Sequence, residues 1–194
     1  ASGAEGAGGS EQEIRRSLVK TGAMDCIVAV GPKMFLTVGV PAVLWFLDKG
    51  KAEGPRSDQV LFVDARHLFR QVDRAHRTFD TEHIELLGNI VRLWRGEAVD
   101  IQTGDGSRTT KLFPDLKYRD VLGLCKVASR TGIEEKDWSL SPGRYVGVAP
   151  GQRPDDEAFR EQLEALHGEF EDLNIEAEQL QARIAQDVAK LLEA

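Results

Sequence analysis

Four arginines in a short stretch are the residues of this 194-residue chain whose type and spacing best suit chemistry. They are Arg66, Arg70, Arg74 and Arg77, and His67 and His76 accompany them. Guanidinium groups at this density are typical of contacts with phosphate groups, which supply position and affinity. The alternative is internal pairing of some of these arginines with Asp64, Asp73 or Glu82.

No other set of side chains stands out as a catalytic centre. Ser/His/Asp, Cys/His and paired-carboxylate arrangements do not rise above background. The four histidines are scattered, without the spacing of zinc ligands. Cys26 and Cys125 lie in apolar surroundings, so we expect small buried hydrophobes in a reducing compartment. We expect a cytoplasmic protein, because no apolar run approaches the ~20 residues that span a bilayer.

Three apolar runs predict the strands that must position the arginines. Met24–Val30 and residues 41–47 are short runs rich in β-forming residues, broken between them by Gly31 and Pro32. Neither alternates polar with apolar residues, so we expect a sheet covered on both faces. Residues 60–63 form a third strand, reached through a polar, exposed loop at 49–59.

Two helices flank this sheet in the sequence. Ser10 and Glu13 have the capping-box spacing, and the helix they start ends near Gly22. Its apolar face is formed by Ile14, Leu18 and Val19. A second helix is predicted at Thr81–Arg95, with Asp80 or Thr81 as its cap and Gly96 as its stop. Its apolar stripe contains Ile84, Leu87, Val91 and Trp94.

Less regular segments follow the second helix. Residues 98–115 are polar, contain TGDGSRTT and are expected to be mobile or inserted. Residues 118–128 and 133–138 are predicted to be short helices or turns leading to SLSPGRYVG.

The last part of the chain has a different pattern. Apolar residues recur there at spacings of three and four, almost as a heptad repeat. They include Phe159, Leu163, Leu166, Phe170, Leu173, Leu180, Ile184 and Val188. A continuous helix over this stretch would be ~57 Å long, and its stripe must be buried against another helix. A hairpin, a partner protein and a self-associating coiled coil all satisfy that requirement.

Charge divides the chain in the same place. Residues 151–194 carry twelve acidic and four basic residues, whereas residues 1–150 carry twenty acidic and twenty-one basic ones. A nearly neutral body with a basic surface and an acidic tail fits this distribution, as does a solvated helix rich in glutamate.

Several segments, taken in order, carry a resemblance to a known family. They are EQEIRRSLV, MDCIVAV, MFLTVGVPAVLWFLDKGK, QVLFVDAR, LCKVAS and SLSPGRYVG. Together they resemble the C-terminal half of the modification (methylase) subunit of type I restriction-modification systems. VGVPAVLWFLDKGK combined with SPGRYVG is the most specific part of the match.

The resemblance implies an α/β fold. We expect the C-terminal portion of a Rossmann-like methyltransferase sheet, with short, largely antiparallel strands, packing helices and a long C-terminal helical or coiled-coil tail. The expected organisation is a flexible leader at 1–9, the C-terminal part of the methyltransferase domain at 10–150 and a helical subunit-assembly tail at 151–194.

The resemblance also implies methylation of the adenine amino group in DNA by S-adenosylmethionine. The chain lacks the glycine-rich turn for that cofactor and the Asn-Pro-Pro-Phe or Asn-Pro-Pro-Tyr motif that holds the flipped adenine. GAEGAGG near the start follows no strand. We therefore expect a fragment that is inactive alone and binds no cofactor itself, with S-adenosylmethionine bound by the complete protein.

One aromatic residue acquires a role through the resemblance. In related amino-methyltransferases, the loop between the last two strands carries an aromatic side chain that stacks on the target base, and Phe35 matches that position. A second aromatic residue commonly follows it in the family, whereas this chain has Leu36. Lys33 is a candidate phosphate contact in the same loop. The alternatives are a core position for Phe35 and a solvated side chain for Lys33.

The partners implied are DNA, the DNA-specificity subunit and the restriction subunit of the same system. The C-terminal stripe is the predicted interface with the specificity subunit, and self-association through that helix stays open. An interpretation from another class is a non-enzymatic coiled-coil assembly or DNA-binding adaptor, because a fold alone does not define a function.

Overall fold

The structure is a computed structural model that describes residues 9–35, 39–73 and 76–149, and scattered positions between 167 and 184. The chain consists of two compact units, Ala1–Ala149 and Pro150–Ala194, and the fold below is that of the first. Its strands are β1 Met24–Val30, β2 Ala42–Leu47, β3 Gln59–Ala65, β4 Arg70–Gln71, β5 Arg77–Thr78 and β6 Cys125–Ser129. Its α-helices are α1 Gly9–Lys20, α2 Thr81–Arg95, α3 Ser107–Leu112 and α4 Arg130–Glu134, and short 3-10 helices lie at Lys49–Glu53 and Pro142–Arg144.

Four strands form one mixed sheet in the order β2-β1-β3-β6. β1 and β3 are parallel, from Cys26 opposite Leu61 to Val30 opposite Ala65. The pairs β1–β2 and β3–β6 are antiparallel. The predicted α/β class with mostly antiparallel strands is confirmed, and β6 corrects the expectation of only short helices or turns over 118–128.

The central strands are the ones whose sequences are continuously apolar. Every residue of β1 is buried, as is every residue of β3 except Gln59. Alternate side chains of β1 enter two cores: Cys26, Val28 and Val30 pack on the α2 side, whereas Ile27 packs with α1 residues on the other. The expectation of cover on both faces is correct for β1.

The same expectation is wrong for β2. This strand pairs only with β1 among the described residues, and so lies at an edge of the sheet. Leu44, Phe46 and Leu47 are exposed, Phe46 by 49%. An apolar run without alternation does not distinguish a central strand from an edge strand, because both can carry the same residue types.

The first helix forms as predicted, and of its predicted apolar face Leu18 and Val19 pack on the core. α1 buries Arg15 and Val19, whereas Ile14 is exposed. Nε of Arg15 donates a hydrogen bond to the Trp138 carbonyl oxygen at 3.0 Å, which compensates for burial of its charge. The described helix begins at Gly9, so Ser10 is a helical residue, and its predicted capping role is not the one observed.

The second helix has the predicted ends. Oδ1 of Asp80 accepts a hydrogen bond from the His83 amide at 3.1 Å, and Gly96 closes the helix with φ +75°. The buried face is rotated from the predicted one. Trp94 is in the core as expected, but Ile84 is exposed, and the other main core residues are Leu86, Ile90 and Leu93.

Residues 98–115 are attached to α2, which corrects the expectation of a mobile or inserted segment. Oδ1 of Asn89 accepts a hydrogen bond from the Asp100 amide at 2.8 Å, and its Nδ2 donates to Oγ1 of Thr109 at 3.1 Å. A carboxylate oxygen of Glu85 accepts from the Gly104 amide at 2.6 Å. Polar residues of this segment therefore have partners on α2, which a polar composition alone does not reveal.

Both cysteines are free and buried, as predicted. Burial, with a smaller contribution from the negative charge of Asp25, raises the pKa of the Cys26 thiol to about 12. Burial likewise raises the pKa of Cys125 to about 11. Both thiols stay protonated near neutral pH and behave as apolar core groups.

Candidate nucleic-acid interface

The predicted cationic residues gather at one edge of the sheet. Because β1 and β3 are parallel, the segments that leave their carboxyl ends start side by side, which is where α/β sheets place their ligands. These segments touch: a side-chain carbon at Gly31 would lie 2.8 Å from the carbonyl oxygen of Arg66. Only a residue without a side chain allows this approach.

The β4–β5 hairpin continues this edge. Arg70 lies opposite Thr78, and Gln71 lies opposite Arg77. The Arg77 amide donates a hydrogen bond to the Lys33 carbonyl oxygen at 2.8 Å, which ties the hairpin to the segment after β1. Lys33 has φ 64°, a left-handed conformation that is uncommon for a residue with a side chain. Lys33, Arg70 and Arg77 therefore belong to one local structure.

Two side chains hold the guanidinium group of Arg77. Its guanidinium carbon lies 3.9 Å from the centre of the Phe69 ring. Its Nε donates a hydrogen bond to Oε1 of Gln71 at 3.0 Å. Among the residues that the structure describes, no carboxylate forms an ion pair with Arg70 or Arg77. Two positive charges on this edge are thus not matched by an adjacent described acid.

Arg66 follows the alternative left open by the sequence. Its Nε donates to Oδ1 of Asp64 at 2.8 Å, and its Nη2 donates to Oδ2 at 2.6 Å. Burial alone would raise the pKa of Asp64, but the hydrogen bonds and charge of Arg66 outweigh it and hold that pKa below its usual range. Arg66 is exposed at the same edge, yet a carboxylate already occupies one side of its guanidinium.

The SPGRYVG segment packs against this ion pair. A side-chain carbon at Gly143 would lie 2.7 Å from Nη2 of Arg66. The Tyr145 ring stacks on Phe62 of β3, with centroids 3.8 Å apart and planes 11° from parallel. The most specific part of the sequence resemblance therefore covers the carboxyl end of β3.

The other two acids named as alternative partners have different contacts. Oδ2 of Asp73 lies 2.8 Å from Nδ1 of His76, and Oε2 of Glu82 lies 2.9 Å from Nε of Arg108. Arg74 lies outside the described residues. Of the pairings considered for these arginines, the one between Arg66 and Asp64 is present among the described residues.

Phe35 lies two residues beyond Lys33 and is 43% exposed. It is absent from both core clusters of buried residues. Residues 36–38 lie outside the described part of the chain. The base-stacking role of Phe35 stays a prediction, and its exposure is the property that such a role requires.

Phe69 and Gln71 were missed by the sequence reasoning. They surround Arg77 because the hairpin brings two short strands together. No strand was expected in the arginine-rich segment. A signal was present in the two-residue spacing of Phe69 and Gln71, which places side chains on one face of a strand.

Comparison with known proteins identifies the family. The model of the N-6 DNA methylase family matches residues 1–153. The chain belongs to the N-6 DNA methylase family. The HindI type I restriction enzyme methylase subunit of Haemophilus influenzae is 30% identical over 182 residues, covering 94% of this chain and 36% of that protein. The MjaIX methylase subunit of Methanocaldococcus jannaschii is 33% identical over 148 residues, covering 76% and 24%.

A solved structure shares the fold. The methyltransferase subunit of a type I restriction-modification system from Streptococcus thermophilus has a TM-score of 0.56 at 22% identity, covering 76% of this chain and 25% of that one. The family resemblance noted from the sequence is confirmed. The chain spans about a third or less of the length of these relatives.

The turn that follows β1 does not offer the open backbone that a glycine-rich turn presents to S-adenosylmethionine. A nucleotide-binding turn between strand and helix leaves its backbone approachable. At the end of β1, the Arg66 carbonyl fills the space beside Gly31. The described residues also contain no group of three potential metal ligands. Each described helix is too short or too polar to cross a membrane.

The predicted partner interface lies in the second unit. Four of its residues are described, and all are helical and exposed: Phe170, Leu173, Leu180 and Ile184. Phe159, Leu163, Leu166 and Val188 lie outside the described residues. The coiled coil stays a prediction, supported by the exposure of these four apolar side chains.

Proposed function

We propose that this chain supplies part of the DNA-facing surface of a type I restriction-modification methylase, which transfers a methyl group from S-adenosylmethionine to the adenine amino group. The observation that carries the proposal is the grouping of Lys33, Arg70 and Arg77 at the carboxyl edge of the sheet. Arg70 and Arg77 lack a carboxylate partner among the described residues, so their charge is available to a phosphate.

Phe35 extends this surface towards the target base. Adenine inside a duplex is out of reach of a methyl donor, so the base must be flipped out and held. An exposed aromatic ring provides a stacking surface worth roughly 1–3 kcal/mol per base. The position of Phe35 near Lys33 would place this surface beside the phosphate contacts.

We propose that the chain is inactive by itself. Methyl transfer requires a bound cofactor and polar groups that align the adenine amino nitrogen, and positioning is the main contribution of such an enzyme. Neither requirement is met by the motifs of this sequence. In the complete protein, other segments would bind S-adenosylmethionine, and this chain would hold DNA and the flipped base.

The acidic C-terminal helix is proposed to dock on the specificity subunit. Its exposed apolar residues Phe170, Leu173, Leu180 and Ile184 support docking against another helix. The same exposure supports the alternative, a self-associating assembly or DNA-binding adaptor. Sedimentation of the chain alone and with a specificity subunit separates the two: a complex that contains both proteins supports docking, whereas only homo-oligomers of the chain support the adaptor.

The test of DNA binding compares two double variants by fluorescence anisotropy with a labelled duplex over a range of salt concentrations. Arg70→Ala with Arg77→Ala should weaken binding and reduce the slope of log K against log salt by about 1.8, about 0.9 for each lost phosphate contact. The control, Arg16→Ala with Lys20→Ala, also removes two positive charges but from α1. Equal losses in the two variants would remove this edge from the DNA surface.

A further inference from the structure

The surroundings of Arg77 immobilise its guanidinium group. The Phe69 ring lies against the group at 3.9 Å, and Gln71 accepts a hydrogen bond from its Nε. The Gln71 amide is itself oriented, because its Nε2 donates to the His76 carbonyl oxygen at 3.2 Å and also to that of Asp73. The backbone is held by the hydrogen bond from the Arg77 amide to Lys33.

The hydrogen bond to Gln71 uses only Nε and leaves the Nη1 and Nη2 atoms of Arg77 available to a ligand. Neither Nη1 nor Nη2 of Arg77 has a hydrogen bond or ion pair within the described part of the chain. Arg66 differs, because Asp64 takes its Nε and its Nη2. Four N–H groups of Arg77 thus remain in one plane, in the fork geometry that matches two oxygens of a phosphate.

We propose that the Nη1–Nη2 edge of Arg77 is a preformed site for one phosphodiester group of the DNA backbone, with Phe69 and Gln71 as its positioning residues. This inference rests on the proposed function. The physical reason is preorganisation: an arginine already held by a ring and an amide loses less side-chain freedom when it binds.

The first test places a carboxylate beside the guanidinium. Gln71→Glu keeps the size of the side chain and puts a negative charge where Nε now finds an amide oxygen. Binding of the chain to a labelled DNA duplex should weaken, and the salt slope should fall by about 0.9. Val72→Glu is the matched control, because Val72 is the next residue, is exposed and also gains one negative charge. It should weaken binding less.

The second test removes the ring without changing charge. Phe69→Leu should weaken binding about two- to fivefold, the effect of an exposed cation–π contact, while the salt slope stays near the wild-type value. Phe69→Tyr keeps the aromatic face and should restore wild-type affinity. Circular dichroism and thermal unfolding identify any variant that does not fold, and the exposed Gln71 site keeps the proposal testable if Phe69→Leu is one of them.

The outcomes separate this proposal from the broader one. One outcome would be that the Arg70→Ala, Arg77→Ala double variant loses DNA affinity, whereas Gln71→Glu binds DNA as Val72→Glu does and folded Phe69→Leu binds it as wild type does. That result would overturn the preformed phosphate site at Arg77 and leave the proposed DNA surface supported. If the double variant binds like its α1 control, both fail. No binding of the wild-type chain to the duplex would also overturn the phosphate site.

Discussion

The two ends of β1 carry clusters of cationic residues that the structure treats in opposite ways. At the amino end, Asp25 is 0% exposed and accepts ion pairs from Arg56 at 3.0 Å and from Arg95. Lys51, 3% exposed, donates to the carbonyl oxygens of Gly22 and Met24 at 3.2 and 2.7 Å. The positive charges of these residues are satisfied by contacts within the protein. Lys51 is one of them, although it lies in the 49–59 loop that we expected to be exposed.

At the carboxyl end, no buried acid among the described residues pairs with two arginines as Asp25 does. Asp64 binds Arg66, but Arg70 and Arg77 are held by backbone, ring and amide contacts that leave their charge unneutralised. The position of a carboxylate, rather than the density of arginines, therefore decides whether a cluster stabilises the fold or is available to a ligand.

The largest expected effect comes from removing the acid of the internal cluster. Asp25→Ala should lower the free energy of unfolding by about 3–5 kcal/mol, because Arg56 and Arg95 lose the carboxylate that compensates for their partial burial. Urea unfolding measures the change. Asp58→Ala is the control, since Asp58 is exposed and pairs with Arg130 at 3.3 Å, and should cost less than about 1 kcal/mol. Similar values for both would contradict a structural role for Asp25.

A smaller effect is expected at Asp64, the acid of the cluster at the carboxyl end. Asp64→Asn should lower the free energy of unfolding by about 1–3 kcal/mol, because a charged hydrogen-bonded pair is lost. The same change should release Arg66 and increase DNA affinity, with the salt slope larger by about 0.9. Asp73→Asn, which removes an exposed acid of the same edge, provides the comparison. An equal gain for both variants would show a general charge effect rather than release of Arg66.

The smallest effect is a change of the Asp64 contribution with pH. The folded pKa of Asp64 lies below its unfolded value of about 3.9, so the unfolded chain takes up the proton first as pH falls. The stabilisation is complete above about pH 5 and is lost as pH falls through the folded pKa. The free energies of unfolding of wild type and Asp64→Asn, measured in urea, should therefore approach each other as pH falls below about 4. A gap that stays constant into acid would exclude the ion pair as its source.

Local patterns were sufficient for β1, β2, β3, α1 and α2, but not for the short strands β4, β5 and β6. The runs at β1 and β3 became buried strands, and α2 begins after Asp80 and ends at Gly96 because capping depends on neighbouring residues. The predicted buried face of α2 was only partly correct. Ile84 is exposed, and Leu87 and Val91 are only partly buried, although they are spaced as regularly as the residues that form the core face. Periodicity indicates a helix, but the elements packed against it choose the buried stripe.

The chemistry of the candidate site divides in the same way. Lys33, Phe35 and the arginines could be named from residue types and from the family resemblance, which the comparisons confirm. Their neighbours could not, because the contact of Gly31 with Arg66 and that of Lys33 with Arg77 join segments on different strands. Identical guanidinium groups therefore looked equivalent in the sequence.

What the sequence determined by itself was the strands β1, β2 and β3, the helices α1 and α2, the buried cysteines and the family, because these depend on local patterns and residue types. Tertiary structure decided which arginines meet a carboxylate. Asp25 and Arg95 are 70 residues apart in the chain, yet they pair inside the fold. Charge interactions depend on distance and burial in three dimensions, and the packing of α2 against β1 sets both for this pair.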